Sequence, residues 1–268
     1  MSVTHAAPVE GAPLLLRSDE GGVTTLTLNR PAARNALSVG LMSALQDALD
    51  EIARDARVKV VILAANGPAF CAGHDLKEMR ARPGRGAYQA LFAQCSRLMM
   101  AITRLPKPVI AKVHGIATAA GCQLVATCDL AIAARPARFA TPGVNIGLFC
   151  STPMVALSRA VGRKAAMEML LTGEMIDAER AQQLGLVNRV VEPDRLEAEV
   201  TALARLIASK SPLTLAIGKE AFYRQVELDL AAAYEYASEV MTRNMMARDA
   251  EEGIDAFLEK RAPNWCGR

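Results

Sequence analysis

Short runs typical of β-strands alternate with helical patterns up to Ser151, and this alternation constrains the fold more than any other feature. Val23–Leu28 (VTTLTL) alternates apolar with polar positions, whereas Val58–Ala65 (VKVVILAA) is an almost continuous apolar run. Between them, Ser38 precedes apolar residues spaced three or four apart, as a helix cap would: Leu41, Leu45, Leu49 and Ile52. The alternation predicts an α/β core whose sheets are covered by helices.

The same alternation continues to Ser151 and then changes to helices alone. The remaining elements expected before Ser151 are a helix over about Ala87–Leu105, a strand at Val109–Val113, a helix at Gly121–Cys128 and a strand at Asp129–Ala133. Beyond Ser151 the only strand-like run is Leu186–Val191. The helices expected there are Met154–Val161, Arg163–Leu171, Ala178–Leu184, Leu196–Ala208, Leu213–Val226, Leu230–Met246 and Glu251–Lys260.

One of these late helices carries an apolar stripe at helical spacing. The stripe consists of Leu230, Tyr234, Ala237, Met241 and Met245, while Val240 lies off it. Such a helix fits packing against a second subunit, and it equally fits burial in the core of its own chain.

Composition excludes several classes of protein. A net charge of +3 gives no case for nucleic-acid binding. Six cysteines without a CxxC pair, beside only three histidines, indicate neither a disulfide scaffold nor a metal site, but reduced buried thiols. No apolar run approaches the roughly 20 residues that cross a bilayer, and the first 17 residues resemble no signal peptide. We therefore expect a cytoplasmic protein without a membrane span.

Two glycine-bearing loops lie between a predicted strand and a predicted helix. The first is AFCAGHDLKEM (residues 69–79), in which Asp75 and Glu78 have capping-box spacing. The second is GIATAAGCQL (residues 115–124). Small residues let another backbone or a ligand approach closely, and two N–H groups converging on one oxygen would form an oxyanion hole. Tight strand-to-helix turns without any function have the same composition, so the spacing alone leaves both interpretations open.

Five segments resemble the crotonase (enoyl-CoA hydratase/isomerase) family, in the family's order and over nearly the whole chain. They are NRP with RNAL (29–37), AFCAGHDLKEM, HGIATAAGCQLVATCDLAIA (114–133), LLTGEMIDAERAQQLGLVNRVV (170–191) and EEGIDAFLEKRAPNW (251–265). More narrowly, HDLKE, ATAAGCQLVATCD and FATPGVNIGLFCSTP are similar to the subgroup called enoyl-CoA hydratase domain-containing protein 3.

The resemblance implies a spiral of ββα units followed by a helical trimerisation region, in a homotrimer or a dimer of trimers. On that basis residues 1–12 are expected to be a flexible N-terminus, 13–200 the spiral core and 201–268 the helical C-terminal region. The implied substrates are acyl-CoA thioesters, with coenzyme A as part of the substrate and no separate cofactor or metal.

The resemblance also implies which residues form the site. The backbone N–H groups of His74 and Ala120 would hold the thioester carbonyl oxygen. The positions that correspond to the family's substrate and coenzyme A contacts are Arg34, Ala36, Ala72, Asp75, Leu76, Gly121, Phe257 and Lys260. The last two would reach coenzyme A across a subunit boundary. Without the resemblance, Arg34 reads as a solvated loop residue, Phe257 as core and Lys260 as surface charge.

The sequence departs from the family at the two positions where its hydratases carry catalytic glutamates. Gln123 and Gly143 stand there, and neither an amide nor a glycine can act as a general acid or base. Because a positioned acid or base contributes roughly 10²–10⁴-fold, we expect no efficient hydration of an enoyl thioester by two carboxylates. Enoyl-CoA hydratase remains the nominal activity; the alternatives are isomerisation, decarboxylation or hydrolysis through a thioester enolate, and acyl-CoA binding without catalysis.

Other side chains near these positions are further candidates for a catalytic group. The His74 imidazole could take part, although its side chain could equally point away from the ligand. Asp75 fits a helix cap and Glu78 its capping-box partner better than catalytic groups. Cys150, Ser151 and Thr152 follow Gly143, but the sequence shows no partner base for a nucleophile among them.

Overall fold

The computed structural model describes residues 12–268. The expected flexible N-terminus, residues 1–12, falls outside that range except for its last residue. A six-stranded sheet has the order β1-β2-β3-β5-β7-β10, in which β1 runs antiparallel to β2 and the other pairs are parallel. Its strands are β1 (Leu15–Glu20), β2 (Val23–Leu28), β3 (Val60–Ala65), β5 (Val109–Val113), β7 (Leu130–Ala134) and β10 (Arg189–Val191).

A second, four-stranded sheet has the order β4-β6-β8-β9. Its strands are β4 (Ala69–Cys71), β6 (Ile116–Thr118), β8 (Arg138–Ala140) and β9 (Ile176–Asp177). In each of three successive repeats one strand enters the large sheet and the next enters the small sheet before a helix follows. The expectation of an α/β fold built as a spiral of ββα units is therefore confirmed.

Eleven α-helices lie within the described range. They are α1 (Val39–Arg54), α2 (Leu76–Ala81), α3 (Arg85–Arg104), α4 (Ala120–Thr127), α5 (Pro153–Ala160), α6 (Arg163–Thr172), α7 (Ala178–Leu184), α8 (Leu196–Ala208), α9 (Pro212–Gln225), α10 (Leu230–Met245) and α11 (Arg248–Leu258). Most match the sequence-based ranges to within two residues. The last begins three residues earlier than expected, and the strand expected from Val58 begins at Val60.

The core lies between the large sheet and the helices that cover it. Helices α1 and α3 pack on one face, while the other face, including Val60, Ile110 and Ile132, is covered by α8. Leu196, Val200, Ala204 and Ala208 of α8 all belong to this second cluster. The domain boundary expected after residue 200 thus falls inside α8, and it stays a prediction.

The C-terminal helices are tied to the spiral by a part-buried ion pair. Lys219 Nζ in α9 lies 2.6 Å from Asp129 Oδ2 and also donates to the backbone oxygens of Ile102 and Lys107. The Tyr223 hydroxyl donates to the other Asp129 oxygen at 2.8 Å. This network fixes α9 against the spiral.

The apolar stripe of α10 faces away from its own chain. Leu230 is 75% exposed, Tyr234 71% and Met241 62%, whereas Val240, off the stripe, is buried. The interpretation of the stripe as core is therefore wrong, and packing against a second subunit stays a prediction.

Within residues 12–268 no single helix is long and apolar enough to cross a membrane. By length and composition alone, one pair of helical segments, Pro193–Ala208 and Pro212–Gln225, passes the same test with a bend of 103° between them.

Candidate functional site

The small sheet brings the two glycine-bearing loops together. Strands β4 and β6 are parallel neighbours, with Cys71 opposite Ala117, and each runs into one of the loops. The loops then approach so closely that a Cβ added to Gly121 would lie 2.0 Å from the Cys71 carbonyl oxygen. Glycine at position 121 is therefore a steric requirement of the contact between the loops.

The amides of His74 and Ala120 lie on either side of this contact. Gly73 has φ 95°, and a Cβ there would lie 3.3 Å from the Ala120 nitrogen and 2.9 Å from the Ala119 Cβ. Within residues 12–268, neither the His74 amide nor the Ala120 amide donates to another group of the chain. Ala120 is the first residue of α4, so the partial positive charge of that helix terminus adds to its N–H.

The residue before Ala120 has an unusual backbone conformation. Ala119 has φ 50° and ψ −120°, a region that favours glycine. Such a conformation costs on the order of 1–3 kcal/mol and persists only where the surroundings impose it. Here the Ala119 amide donates to the Ala140 carbonyl of β8 at 2.9 Å, and this hydrogen bond holds the turn into α4.

Asp75 caps α2, as its spacing predicts. Its Oδ1 accepts from the amides of Lys77 and Glu78, both at 3.2 Å. The prediction of a capping box is wrong, because Glu78 Oε2 accepts a hydrogen bond from the Val39 amide at the start of α1 instead of from the Asp75 amide. The Asp75 amide donates to the Leu37 carbonyl oxygen, and so it is not available to Glu78.

Arg30 joins two of the segments that resemble the family, residues 29–37 and 69–79, a role that the sequence did not reveal. Its Nη2 lies 2.9 Å from Asp75 Oδ2, and its Nη1 donates to the Ala36 carbonyl. Burial raises the pKa of Asp75, but the hydrogen bonds from Arg30 and the two α2 amides outweigh it and hold that pKa below its usual value. Asn35, fully buried, accepts from the Arg30 amide at 2.8 Å.

A cleft of about 580 Å³ is lined by five residues between Arg30 and Ala36 and by Asp75–Glu78 of the first loop, and by no residue of the second loop. It gathers four of the predicted coenzyme A contacts, namely Arg34, Ala36, Asp75 and Leu76. Ala72 does not line it, but the Ala72 amide donates to the Arg34 carbonyl at 3.0 Å and so fixes the loop that does.

A second cleft, of about 180 Å³, lies elsewhere, at the turn between β1 and β2. Gly21, Asp55 and Arg57 are among its lining residues, and none of the predicted site residues is. Of these two clefts, the larger is therefore the one lined by residues that the family resemblance predicts for the site.

Phe257 and Lys260 do not line the larger cleft. Phe257, near the end of α11, is 81% exposed, so the interpretation of this residue as core is wrong. Lys260 follows two residues after the helix with φ 57°. Their expected contact with coenzyme A in a neighbouring subunit stays a prediction.

Gln123 lies one turn into α4 from Ala120, and its side chain is buried. Its Oε1 lies 3.9 Å from Cys95 Sγ in α3. Burial raises the pKa of Cys95 to about 12, so that thiol is neutral at pH 7. The pair is a contact between two uncharged groups.

Position 143 is closed to any side chain. A Cβ added to Gly143 would lie 2.5 Å from the Leu148 carbonyl oxygen and 2.9 Å from Cys150 Sγ. The loop is held in this place by a 2.9 Å hydrogen bond from the Leu148 amide to the Gly143 carbonyl oxygen. Burial raises the pKa of the Cys150 thiol, which makes this group a poor nucleophile.

The His74 imidazole is directed at α3. Its ring meets Phe92 edge-on, with centroids 5.6 Å apart, and its Nε2 is buried with no hydrogen-bond partner in the described part of the chain. Burial lowers the pKa of His74 to about 4, so the ring is neutral at pH 7. Sequence reasoning had no signal for this environment, since it depends on where α3 packs.

Metal-ligating side chains do not cluster in the described range: no group of three or more His, Cys, Asp or Glu residues there could hold an ion. The candidate groups at the two loops are therefore the amides of His74 and Ala120 and the uncharged side chains of His74 and Gln123.

Known proteins share this sequence and this architecture. The model of the enoyl-CoA hydratase/isomerase family matches residues 18–268. The chain is 47% identical over 264 residues to enoyl-CoA hydratase domain-containing protein 3, mitochondrial, of Rattus norvegicus. The aligned residues cover 98% of this chain and 88% of the rat protein.

Two solved structures superpose closely on it. A crystal structure of enoyl-CoA hydratase from Mycobacterium smegmatis has 60% sequence identity and a TM-score of 0.93, with coverage of 95% of this chain and 99% of that chain. The human enoyl-CoA hydratase domain-containing protein 3 has 48% identity and a TM-score of 0.92, with coverage of 94% and 100%.

Proposed function

The chain belongs to the enoyl-CoA hydratase/isomerase (crotonase) family, with the domain-containing protein 3 subgroup among its relatives, and on that premise we propose that it binds acyl-CoA thioesters. The thioester carbonyl oxygen lies between the amides of His74 and Ala120. The single observation that carries the proposal is the contact of the two loops at Gly121, which leaves these two amides without acceptors in the described chain.

Charge in the larger cleft suits the phosphate groups of coenzyme A. Arg30 is paired with Asp75, and Glu78 accepts from a helix amide. Arg34 and Lys77 line the same cleft and pair with no carboxylate in the described range. Their positive charge is therefore available to an anionic ligand.

The proposed site lacks the groups that hydration requires. Gln123 is an amide, position 143 is closed by the Leu148 carbonyl, and the neutral His74 ring has a pKa of about 4. We propose that the pocket binds and polarises the thioester while hydration by two carboxylates does not operate.

The proposed assembly is a homotrimer or a dimer of trimers. The exposed stripe of α10 and the exposed Phe257 support it, because both leave apolar surface that a second copy would cover. Sedimentation analysis of the purified chain tests this, and a monomer at micromolar concentration would contradict it. A cytoplasmic location stays a prediction, and the rat relative is named mitochondrial.

Binding of two matched ligands tests the oxyanion hole. Butyryl-CoA carries the thioester carbonyl, whereas S-butyl-CoA is the thioether without it. Two hydrogen bonds contribute about 0.5–1.5 kcal/mol each, so calorimetry should show the thioester binding at least about fivefold more tightly. Equal affinities would contradict the hole, and no binding of either ligand would contradict the proposed function.

A pair of glycine variants supplies the structural control. Gly121→Ala drives a methyl group into the Cys71 carbonyl, so the preference for the thioester should disappear. Gly218→Ala is the matched control, because Gly218 lies within α9 and nothing approaches its Cβ position within 4 Å. The control should bind both ligands as the wild type does.

A further inference from the structure

We infer that Trp265 is a positioning residue, which together with Asp249 holds helix α11 in the orientation that its proposed contact with an acyl-CoA ligand requires. The inference rests on the proposed function and on the expectation that Phe257 of α11 reaches coenzyme A in a neighbouring subunit. Trp265 and Asp249 line neither of the two clefts described above, so they act through α11 and not on the ligand itself.

Apolar packing within the chain holds α11 only weakly. Of its eleven residues only Asp249 and Ala256 are buried, and the first of these is a carboxylate. Ile254 is 44% exposed, Phe257 81% and Leu258 71%. Because helices in proteins are stabilised mainly by the packing of an apolar face, α11 depends on other contacts for a fixed orientation.

The chain turns back along α11 at Lys260. This residue has φ 57°, the left-handed conformation in which many helices end. The Lys260 amide donates to the Phe257 carbonyl oxygen at 3.3 Å, and the Arg261 amide donates to the Ala256 carbonyl oxygen at 2.9 Å. These are the two hydrogen bonds of a Schellman motif. The residues that follow therefore run back beside the helix towards its first turn.

The Trp265 indole joins the middle of α11 to the corner between α8 and α9. Its ring lies against Gly253, where an added Cβ would come within 3.1 Å of the ring atom Cη2. Its Nε1 donates to the carbonyl oxygen of Ser209, the residue that follows α8, at 2.9 Å. Glycine at position 253 thus makes room for the indole, and the indole fixes the distance between α11 and that corner.

The Asp249 carboxylate fastens the first turn of α11, and it is only 1% exposed. Its Oδ1 accepts from the Cys266 amide at 2.7 Å, and its Oδ2 accepts from the Gly267 amide at 3.0 Å. Oδ2 also accepts from the hydroxyl of Ser211, the N-cap residue of α9, at 2.5 Å. Because hydrogen bonds to a carboxylate are among the stronger ones in proteins, this group ties α11 to both α9 and the returning segment.

A second carboxylate of α11 holds the start of the returning segment. Glu252 accepts two hydrogen bonds from the Arg261 guanidinium, at 2.7 and 3.0 Å, and one from the Asn264 amide at 2.7 Å. Residues 261–267, Asp249 and Glu252 therefore form a clasp along α11.

A small rotation of α11 is enough to move Phe257 out of reach of a ligand. Phe257 lies nine residues after the start of α11, about 13 Å along the helix axis. A pivot of about 20° at the first turn therefore displaces it by roughly 4–5 Å. Apolar contact ends at a separation of about 4–4.5 Å, so a displacement of this size removes the contact. The clasp prevents that rotation.

A double-mutant cycle on ligand affinity tests the inference. Butyryl-CoA is titrated calorimetrically into the full chain carrying Trp265→Ala, Phe257→Ala or both. We expect each single variant to bind about tenfold more weakly than the wild type, and the double variant to bind at most about threefold more weakly than Phe257→Ala. Losses that multiply to about a hundredfold would overturn the inference, and so would an unchanged affinity in Trp265→Ala.

The thioether S-butyl-CoA separates a shift of α11 from damage to the oxyanion hole. In Trp265→Ala the affinities for both ligands should fall together, so the preference for the thioester should stay within about twofold of the wild type. Loss of this preference would show that the substitution disturbs the two loops, and it would overturn the inference. If the wild type bound neither ligand, the proposed function would fall as well.

Asp177→Ala is the matched control for a general loss of stability. Asp177 caps α7 by accepting from the Arg180 amide at 2.7 Å, and it has no part in the clasp. Removal of a helix cap costs stability, but this variant should bind both ligands as the wild type does. An affinity as low as that of Trp265→Ala would overturn the inference.

Trp265→Phe covers the case in which Trp265→Ala does not fold. It keeps a ring against Gly253 and removes the hydrogen bond from the indole to Ser209. The affinity for butyryl-CoA should fall about twofold to fivefold in the wild-type background and stay unchanged in the Phe257→Ala background. The same loss in both backgrounds, or no loss in either, would overturn the inference.

Discussion

Replacing Gly143 with alanine tests whether the loop from Gly143 to Cys150 closes the position of the family's second carboxylate. The added Cβ would lie 2.5 Å from the Leu148 carbonyl oxygen, whereas ordinary contact begins near 3.4 Å. The carbonyl must therefore retreat by roughly 0.9 Å, which strains the hydrogen bond from the Leu148 amide to Gly143. Overpacking costs about 1–3 kcal/mol and a lost hydrogen bond about 1 kcal/mol more, so we expect a loss of about 2–4 kcal/mol in the free energy of unfolding.

Denaturant unfolding at one fixed protein concentration measures this loss, because self-association makes apparent stability depend on concentration. Gly218→Ala in α9 is again the control, and helix propensity predicts a gain of up to about 1 kcal/mol there. If Gly143→Ala were as stable as the wild type, the loop would have room for a side chain. The reasoning that position 143 cannot hold a carboxylate would then be refuted.

Two further predictions concern buried charge and pH. Lys219→Met leaves the part-buried Asp129 carboxylate without its cation, so we expect a loss of up to about 3–5 kcal/mol in the free energy of unfolding; a loss under 1 kcal/mol would show that water reaches the pair. Burial lowers the pKa of His74 from 6.5 to about 4, because the folded protein favours the neutral ring. The resulting contribution to the free energy of unfolding, ~3 kcal/mol, is complete above pH 6.5 and is lost as the pH falls towards 4. His74→Leu should flatten this part of the stability profile; a slope equal to that of the wild type would contradict the burial of His74.

Local sequence patterns predicted those parts of the fold that local physics determines. Ser38 Oγ caps α1 by accepting a hydrogen bond from the Leu41 amide, and the apolar spacing of that helix matches its buried face. The strands at Val23–Leu28 and Val109–Val113 were found with their observed bounds. In each case the side chains that define the element lie within a few residues of one another.

Elements formed by distant pairing were not predicted. Strands β4, β6 and β8 have three residues each and exist only because they pair with one another across the spiral. β1 was missed because its residues are mostly polar and exposed at the edge of the sheet. Glu78 shows the same limit, since its partner, the Val39 amide, lies 39 positions away.

The candidate site shows the same difference between what the sequence predicted and what only the folded structure revealed. The family signatures indicated Arg34, Ala36, Asp75 and Leu76, which the structure gathers in one cleft. They could not show that Arg30 ties Asp75 in place, that the Leu148 carbonyl closes position 143, or that the His74 ring is buried against α3. The first and third of these facts depend on contacts between separate elements, and the second depends on how the loop from Gly143 to Leu148 turns back on itself.

The rate of crotonyl-CoA hydration tests the central claim most directly. The wild-type chain is assayed beside a reference hydratase that carries both glutamates, at crotonyl-CoA concentrations for which calorimetry shows binding. Because each missing acid or base contributes roughly 10²–10⁴-fold, we predict a kcat at least about 10⁴-fold below the reference although the ligand is bound. A kcat within about tenfold of the reference would contradict the account, since hydration would then proceed without a carboxylate at position 123 or 143.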